Sequence, residues 1–121
     1  MIEMKTTIEE DLQHGVAAHK ADDFQAAATF YDKILKEQPM HADANHRLGL
    51  IEISNNRSES ALRFFKIAVH SSPKTEKYWA GYITTLVAMG RIKEAKRATK
   101  KAKREGLSAK KLGDLTAKSK N

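Results

Sequence analysis

Apolar residues recur at spacings of three and four along most of the chain, in stretches cut by short polar breaks. Ile8, Leu12 and Val16 form one stretch. Phe24, Ala27, Tyr31, Ile34 and Leu35 form the next, beyond a break at Ala21-Asp22-Asp23. Leu48, Leu50, Ile51 and Ile53 precede a second break at Asn55-Asn56-Arg57, after which Ala61, Leu62, Phe64, Phe65 and Ala68 resume the pattern. Trp79, Tyr82, Ile83, Leu86 and Val87 lead to Gly90-Arg91, followed by Ile92, Ala95, Ala98 and Ala102. A period near 3.6 predicts an amphipathic helix for each stretch, and the short breaks predict that the helices come in pairs. Thr7 and Glu10 have capping-box spacing ahead of the first helix. The carboxylates of Asp22 and Asp23 suit the start of the second.

The pairs repeat. Pro39 and Pro73 stand 34 residues apart, as do Gly15 and Gly49, and Ala27, Ala61 and Ala95 form a series at the same interval. Phe30 and Phe64, Tyr31 and Phe65, Leu48 and Tyr82, and Ala68 and Ala102 share the register. A fixed period of this length is the signature of a stacked repeat. Glycine and alanine belong where paired helices approach closely, the aromatic residues fill the wider gaps, and each proline ends a helix whose backbone it cannot continue.

These features resemble the tetratricopeptide repeat, whose pattern is a large residue, Leu-Gly, an aromatic, then Ala, aromatic, Ala and Pro. The second unit matches best, with Leu48-Gly49, Ala61, Phe65, Ala68 and Pro73. The first keeps Gly15, Ala27, Tyr31 and Pro39 but carries Asp11 and His14 where Trp and Leu are usual. The third keeps Trp79, Ala95 and Ala102 but has Ile83 for Gly and Leu107 for Pro. The resemblance implies an all-α fold, a right-handed superhelical α-solenoid of antiparallel helix pairs. Its units would fall at about 8–41, 42–75 and 76–109 of a single domain. Ser108, Leu112 and Leu115 suggest a capping helix at about 108–118, with a tail over 119–121.

Composition narrows the picture. The chain has 121 residues, enough for one core, with 40% hydrophobic and 31% charged residues. Cysteine is absent, which removes disulfides, thiolate metal sites and cysteine nucleophiles together. The N-terminus lacks a basic start followed by an apolar run, and no stretch approaches the roughly 20 apolar residues that span a bilayer. A cytoplasmic chain without a membrane span is the expectation.

Charge is unevenly placed. Residues 1–90 carry 10 Lys/Arg against 12 Asp/Glu, and residues 91–121 carry 12 against 3, so the net +7 resides in the C-terminal quarter. With Ile92, Ala95, Ala98, Thr99 and Ala102 facing inward, Lys93, Lys96, Arg97, Lys100, Lys103 and Arg104 form an outward basic stripe on the convex side. Such a stripe could meet phosphates or an anionic surface by counterion release. No aromatic residue is interleaved in it, which argues against base stacking and against nucleic acid as the partner. A solvated face that also complements its own helix C-terminus explains it more simply.

Catalytic chemistry is not indicated. His14 and His19, and His41 and His46, are each five apart and so point to different helix faces. No His-Glu-x-x-His, Gly-x-Ser-x-Gly or glycine-rich phosphate loop occurs, and Glu9-Glu10-Asp11 and Asp22-Asp23 sit where helix dipoles explain them. The expectation is a non-enzyme with no metal and no cofactor. His14, at a usually apolar position, is expected to be packed and largely neutral.

The resemblance further implies a concave groove lined by the first helix of each unit. Carried over position by position, it comprises Leu12, Gln13, Val16 and His19, then His46, Arg47, Leu50 and Ile53, then Lys77, Ala80, Gly81, Thr84 and Val87. The clamp with which some members hold a C-terminal carboxylate would fall on Leu12, Val16, Arg47, Lys77 and Gly81, and only Lys77 agrees in type. An amphipathic helix or an extended apolar segment with one acidic residue is the better match to this surface. The implied function is a protein-interaction scaffold that binds a protein or peptide. Two alternatives stay open: an accessory domain of a larger sulfotransferase or glycosyltransferase, and weak nucleic-acid or anionic-surface binding through the basic stripe. An imperfect cap exposing Trp79 and Tyr82 would also make a second copy a candidate partner, in a weak homo-oligomer.

Overall fold

The computed structural model of the chain describes residues 5–108. Within them lie six helices: α1 (Ile8–Lys20), α2 (Phe24–Glu37), α3 (Ala42–Ser54), α4 (Ser58–Ser71), α5 (Glu76–Ala88) and α6 (Ile92–Arg104). The helices pack in chain order as three antiparallel pairs, the α-solenoid the 34-residue register calls for. The capping helix expected at about 108–118 and the tail at 119–121 lie, apart from Ser108, outside the described residues.

Local chemistry sets the helix ends. The Thr7 hydroxyl accepts from the Glu10 N–H at 3.1 Å and the Glu10 carboxylate accepts from the Thr7 N–H at 3.0 Å, completing a capping box. Asp23 caps α2 through the Ala26 N–H, and the His41 Nδ1 atom does the same for α3 through the Ala44 N–H. Each turn inside a pair passes through one left-handed residue: Asp22 at φ 59°, Asn56 at φ 60° and Gly90 at φ 75°. These three stand in the 34-residue register, and Asp, Asn and Gly are the types that enter this region at least cost.

The pairs interlock where the period places small residues. A Cβ built on Gly15 would lie 2.5 Å from the Tyr31 ring, and one on Gly49 would lie 2.3 Å from the Phe65 ring. Ala27, Ala61 and Ala95 are all fully buried. In the third unit the same two register positions hold Ile83 and Thr99, both buried. Bulk has moved from the second helix to the first, so the large-for-glycine departure is matched by a small-for-aromatic one. Total volume at the crossing is the quantity that has to be kept.

The position at 11, 45 and 79 shows a similar exchange of side chains. The Trp79 indole N–H donates to the Pro73 carbonyl at 2.7 Å, and the Asn45 amide donates to the Pro39 carbonyl at 3.1 Å, six residues back in both cases. Asp11 is 4% exposed; it accepts from the Thr6 hydroxyl at 2.6 Å and faces Lys33 at 3.5 Å. Three unlike residues thus tie the start of each unit to the segment before it.

Two buried clusters result. One joins the first two units through Ala27, Tyr31, Ile34, Ala44, Leu48 and Ile51. The other joins the last two through Leu62, Val69, Trp79, Ile83, Leu86 and their neighbours. His14 departs from expectation. It is exposed, with its ring 5.3 Å from that of Phe30. Leu48, its counterpart one unit on, packs against the first pair. His14 has no preceding pair to pack against. Trp79 is likewise corrected, being only 5% exposed, so it is not available to a second copy as an open apolar face.

Candidate functional site

The first helices α1, α3 and α5 carry the expected groove residues, and α3 and α5 lie directly against each other. On α1, Leu12, Val16 and His19 are half-buried and Gln13 is exposed. On α3, Leu50 and Ile53 are each 37% exposed, which makes them large apolar side chains that α3 leaves open to solvent. On α5, Lys77 and Thr84 are exposed while Ala80, Gly81 and Val87 are half-buried. His46, also named for the groove, is packed inside rather than open to solvent. It is 8% exposed, with its ring 5.5 Å from Phe65 and 5.0 Å from Tyr78 and its Cε1 atom against Gly81.

Arg47 and Lys77 converge on one carboxylate. Arg47 Nε donates to Asp43 Oδ2 at 2.8 Å, the Tyr78 hydroxyl donates to Oδ1 at 3.1 Å, and Lys77 Nζ lies 3.5 Å from Oδ1. Burial works to raise the Asp43 carboxyl, but the Arg47 bond and the charges of Arg47 and Lys77 outweigh it and hold the group below the usual carboxylate range. Burial, and then the Asp43 charge, push the Tyr78 phenol up to about 12. Burial depresses the His46 imidazole to about 4, so the ring is neutral at pH 7. Burial, and then the charge of Arg47, also lower His19. The cluster of Asp43, Arg47 and Lys77 therefore carries one net positive charge between neutral imidazoles, and Leu50 and Ile53 lie further along the same helix as Asp43 and Arg47.

Sequence reasoning named the two cations but not Asp43, whose role depends on α5 bringing Lys77 and Tyr78 across to α3. The only signal in the chain was the four-residue spacing of Asp43 and Arg47.

The six residues of the basic stripe are all exposed and lie within one arc of α6. At 3.6 residues per turn, Lys93, Lys96, Lys100 and Lys103 share one side of α6. Arg97 and Arg104 turn with Lys101 toward a cleft between α4 and α6. Lys101 was not among the residues expected there, although its spacing of four from Arg97 and three to Arg104 would have placed it. Among the described residues no group of three or more His, Asp or Glu is placed to hold a metal ion, and no helix is long and apolar enough to cross a membrane.

No family model and no curated protein matches the sequence. Solved structures do match in fold. The TPR2B domain of yeast Sti1, in a complex with pHsp70, is similar with a TM-score of 0.80 and 18% identity, covering 93% of this chain and 94% of that one. The Thermobaculum terrenum O-GlcNAc transferase is similar with a TM-score of 0.72 and 24% identity over 84% of this chain but only 20% of its own. MamA (AMB-1) is similar with a TM-score of 0.68 and 24% identity over 86% of this chain and 58% of its own. The chain thus spans nearly all of the Sti1 TPR2B domain and only part of the length of the other two chains. With its 34-residue period, its tight Gly–aromatic crossings and these likenesses, the chain is a tetratricopeptide-repeat solenoid in fold, with three helix pairs among the described residues.

Proposed function

We propose that the chain is a non-catalytic interaction scaffold that holds a peptide or protein segment along the face formed by α1, α3 and α5. The observation that carries this reading is the exposure of Leu50 and Ile53 on α3, the helix that also holds Asp43 and Arg47 of the charged cluster. Burying two such side chains against a partner would contribute about 1–2 kcal/mol each, and the cluster's single net charge suits one acidic group on the ligand. The occupant that fits is an apolar segment bearing one carboxylate, either extended or helical. The yeast Sti1 domain, which forms a complex with pHsp70, supports the reading by fold alone.

Leu50→Ser/Ile53→Ser tests it, since both side chains are partly solvated and neither belongs to the buried clusters. A ligand isolated with the wild type and then titrated in pure form should bind this variant at least tenfold more weakly. Equal affinity for the two proteins would remove the groove assignment.

A second reading, that the chain serves as an accessory domain of a larger enzyme, is favoured by one observation: its likeness to a fifth of the O-GlcNAc transferase chain. A coding sequence that runs on past Asn121 into a catalytic domain would support it, and a stop codon there would end it.

A further inference from the structure

On the far side of the solenoid, α4 and α6 stand apart and leave a cleft of about 780 Å³ whose floor is formed by α5. Tyr82, half-buried, is the open side chain of the floor, with Trp79, Leu86, Leu62 and Val69 buried beneath and beside it. The walls are cationic. Arg63 and Lys66 rise from α4; Arg97, Lys101 and Arg104 rise from α6. None of these five has an acidic partner among the described residues, whereas the nearby carboxylates of Glu59 and Glu94 are both held by Arg91 at 3.2 and 2.9 Å. Glu105 is the one remaining carboxylate on the rim. An apolar trough with unpaired cations on both banks is an arrangement that folding alone does not require.

We infer that this cleft is a second binding site, distinct from the groove, and that its occupant is an acidic amphipathic helix of a partner protein. The chemistry selects that occupant in three ways. Arg63 and Lys66 are three apart, and Arg97, Lys101 and Arg104 are four and three apart, so each wall presents cations at helical pitch. A ligand helix with an apolar stripe flanked by Glu or Asp would set its stripe on Tyr82 and its carboxylates on the two walls. The volume accommodates about two turns of such a helix. A nucleic-acid strand would find its phosphates matched, but with Trp79 buried, Tyr82 is the one aromatic ring open in the floor, which gives successive bases no stacking platform. The chain's own residues 109–121, with Lys110, Lys111, Lys118 and Lys120 against Asp114, do not have the acidic charge these walls call for.

Trp79 is the sole tryptophan and lies in the floor, so its fluorescence reports occupancy directly. The probe is a synthetic 16-residue peptide with leucines at helical spacing flanked by glutamates, free of aromatic residues, titrated at 150 mM salt. A scrambled peptide of the same composition and a 16-nucleotide oligothymidine serve as comparisons. The expected result is a saturable fluorescence change with the helical peptide and at least tenfold weaker binding of the scrambled one. Arg97→Gln/Lys101→Gln on one wall and Arg63→Gln/Lys66→Gln on the other should each weaken binding roughly tenfold. All four side chains are exposed, so the two variants should retain wild-type helical circular dichroism. Leu50→Ser/Ile53→Ser should bind this peptide like the wild type, which separates the outcome from that of the groove reading. Equal binding of the scrambled peptide, tighter binding of the oligonucleotide, indifference to both wall variants, or no binding at millimolar peptide would each overturn the proposal.

Discussion

A Cβ on Gly49 would come within 2.3 Å of the Phe65 ring, while the third unit places Ile83 at the equivalent position and Thr99 where the ring would be. Gly49→Ile alone should therefore destabilise by about 3 kcal/mol, the upper range for an overpacked core. Adding Phe65→Thr should recover part of that loss, so that the double variant is more stable than the two single changes sum to. Urea unfolding of all four proteins measures the coupling. The Gly–aromatic pairs were legible because the period put them in register. The exchange at Ile83 and Thr99 was not, since Ile83 reads as a lone departure until the partner position is compared. Nor could Asn45 be recognised as a stand-in for Trp79, because an amide and an indole reach the same backbone carbonyl by unlike chemistry. A second expectation concerns His46, whose imidazole is depressed to about 4 when folded against about 6.5 when unfolded. The unfolded chain takes up the proton first. The neutral ring's contribution is therefore present in full above pH 6.5 and lost as the pH falls from 6.5 toward 4, on the order of 3 kcal/mol in total. His46→Leu, which copies Leu12 of the first unit, should flatten that slope in urea midpoints measured between pH 7 and pH 4.5.

Helix ends and turns carry the next level of information. Each of the six helices lies on its periodic stretch, and the Thr7 cap was readable from spacing alone. The three left-handed turn residues stood within the breaks at Asp22, Asn56 and Gly90, but their shared role appears only once the backbone angles are compared. That role makes Gly90→Ala costly, about 1 kcal/mol, whereas Asn56→Gly should be nearly neutral because glycine already serves this position one unit later. Thermal melts of the two variants check the asymmetry. The proposed groove residues were named as positions on the first helix of each pair, and α1, α3 and α5 do carry them. What those residues do to one another was not legible. The tie of Asp43 to both Arg47 and Lys77 spans two helices from different units, and the cleft between α4 and α6 likewise belongs to no single unit.

At the scale of the whole molecule, the period decided the architecture and the charge asymmetry decided which surfaces differ. The cationic walls of the cleft come from the second and third units, while α1, α3 and α5, the helices of the proposed groove, come from all three pairs. The two buried clusters sit one after the other along the stack, with the smaller one between the first and second pairs. Stability in such a stack is a sum over neighbouring contacts, so no single cooperative event has to melt it. Denaturation should begin at the end bearing Tyr31 and travel toward Trp79. In a urea titration, loss of helical circular dichroism should then precede the change in tryptophan emission, and coincident curves would show that the three pairs come apart together. Such a zipper lets one end loosen while the other keeps its shape. A partner gripping the first pair could thus be released without dismantling the surface at the opposite end.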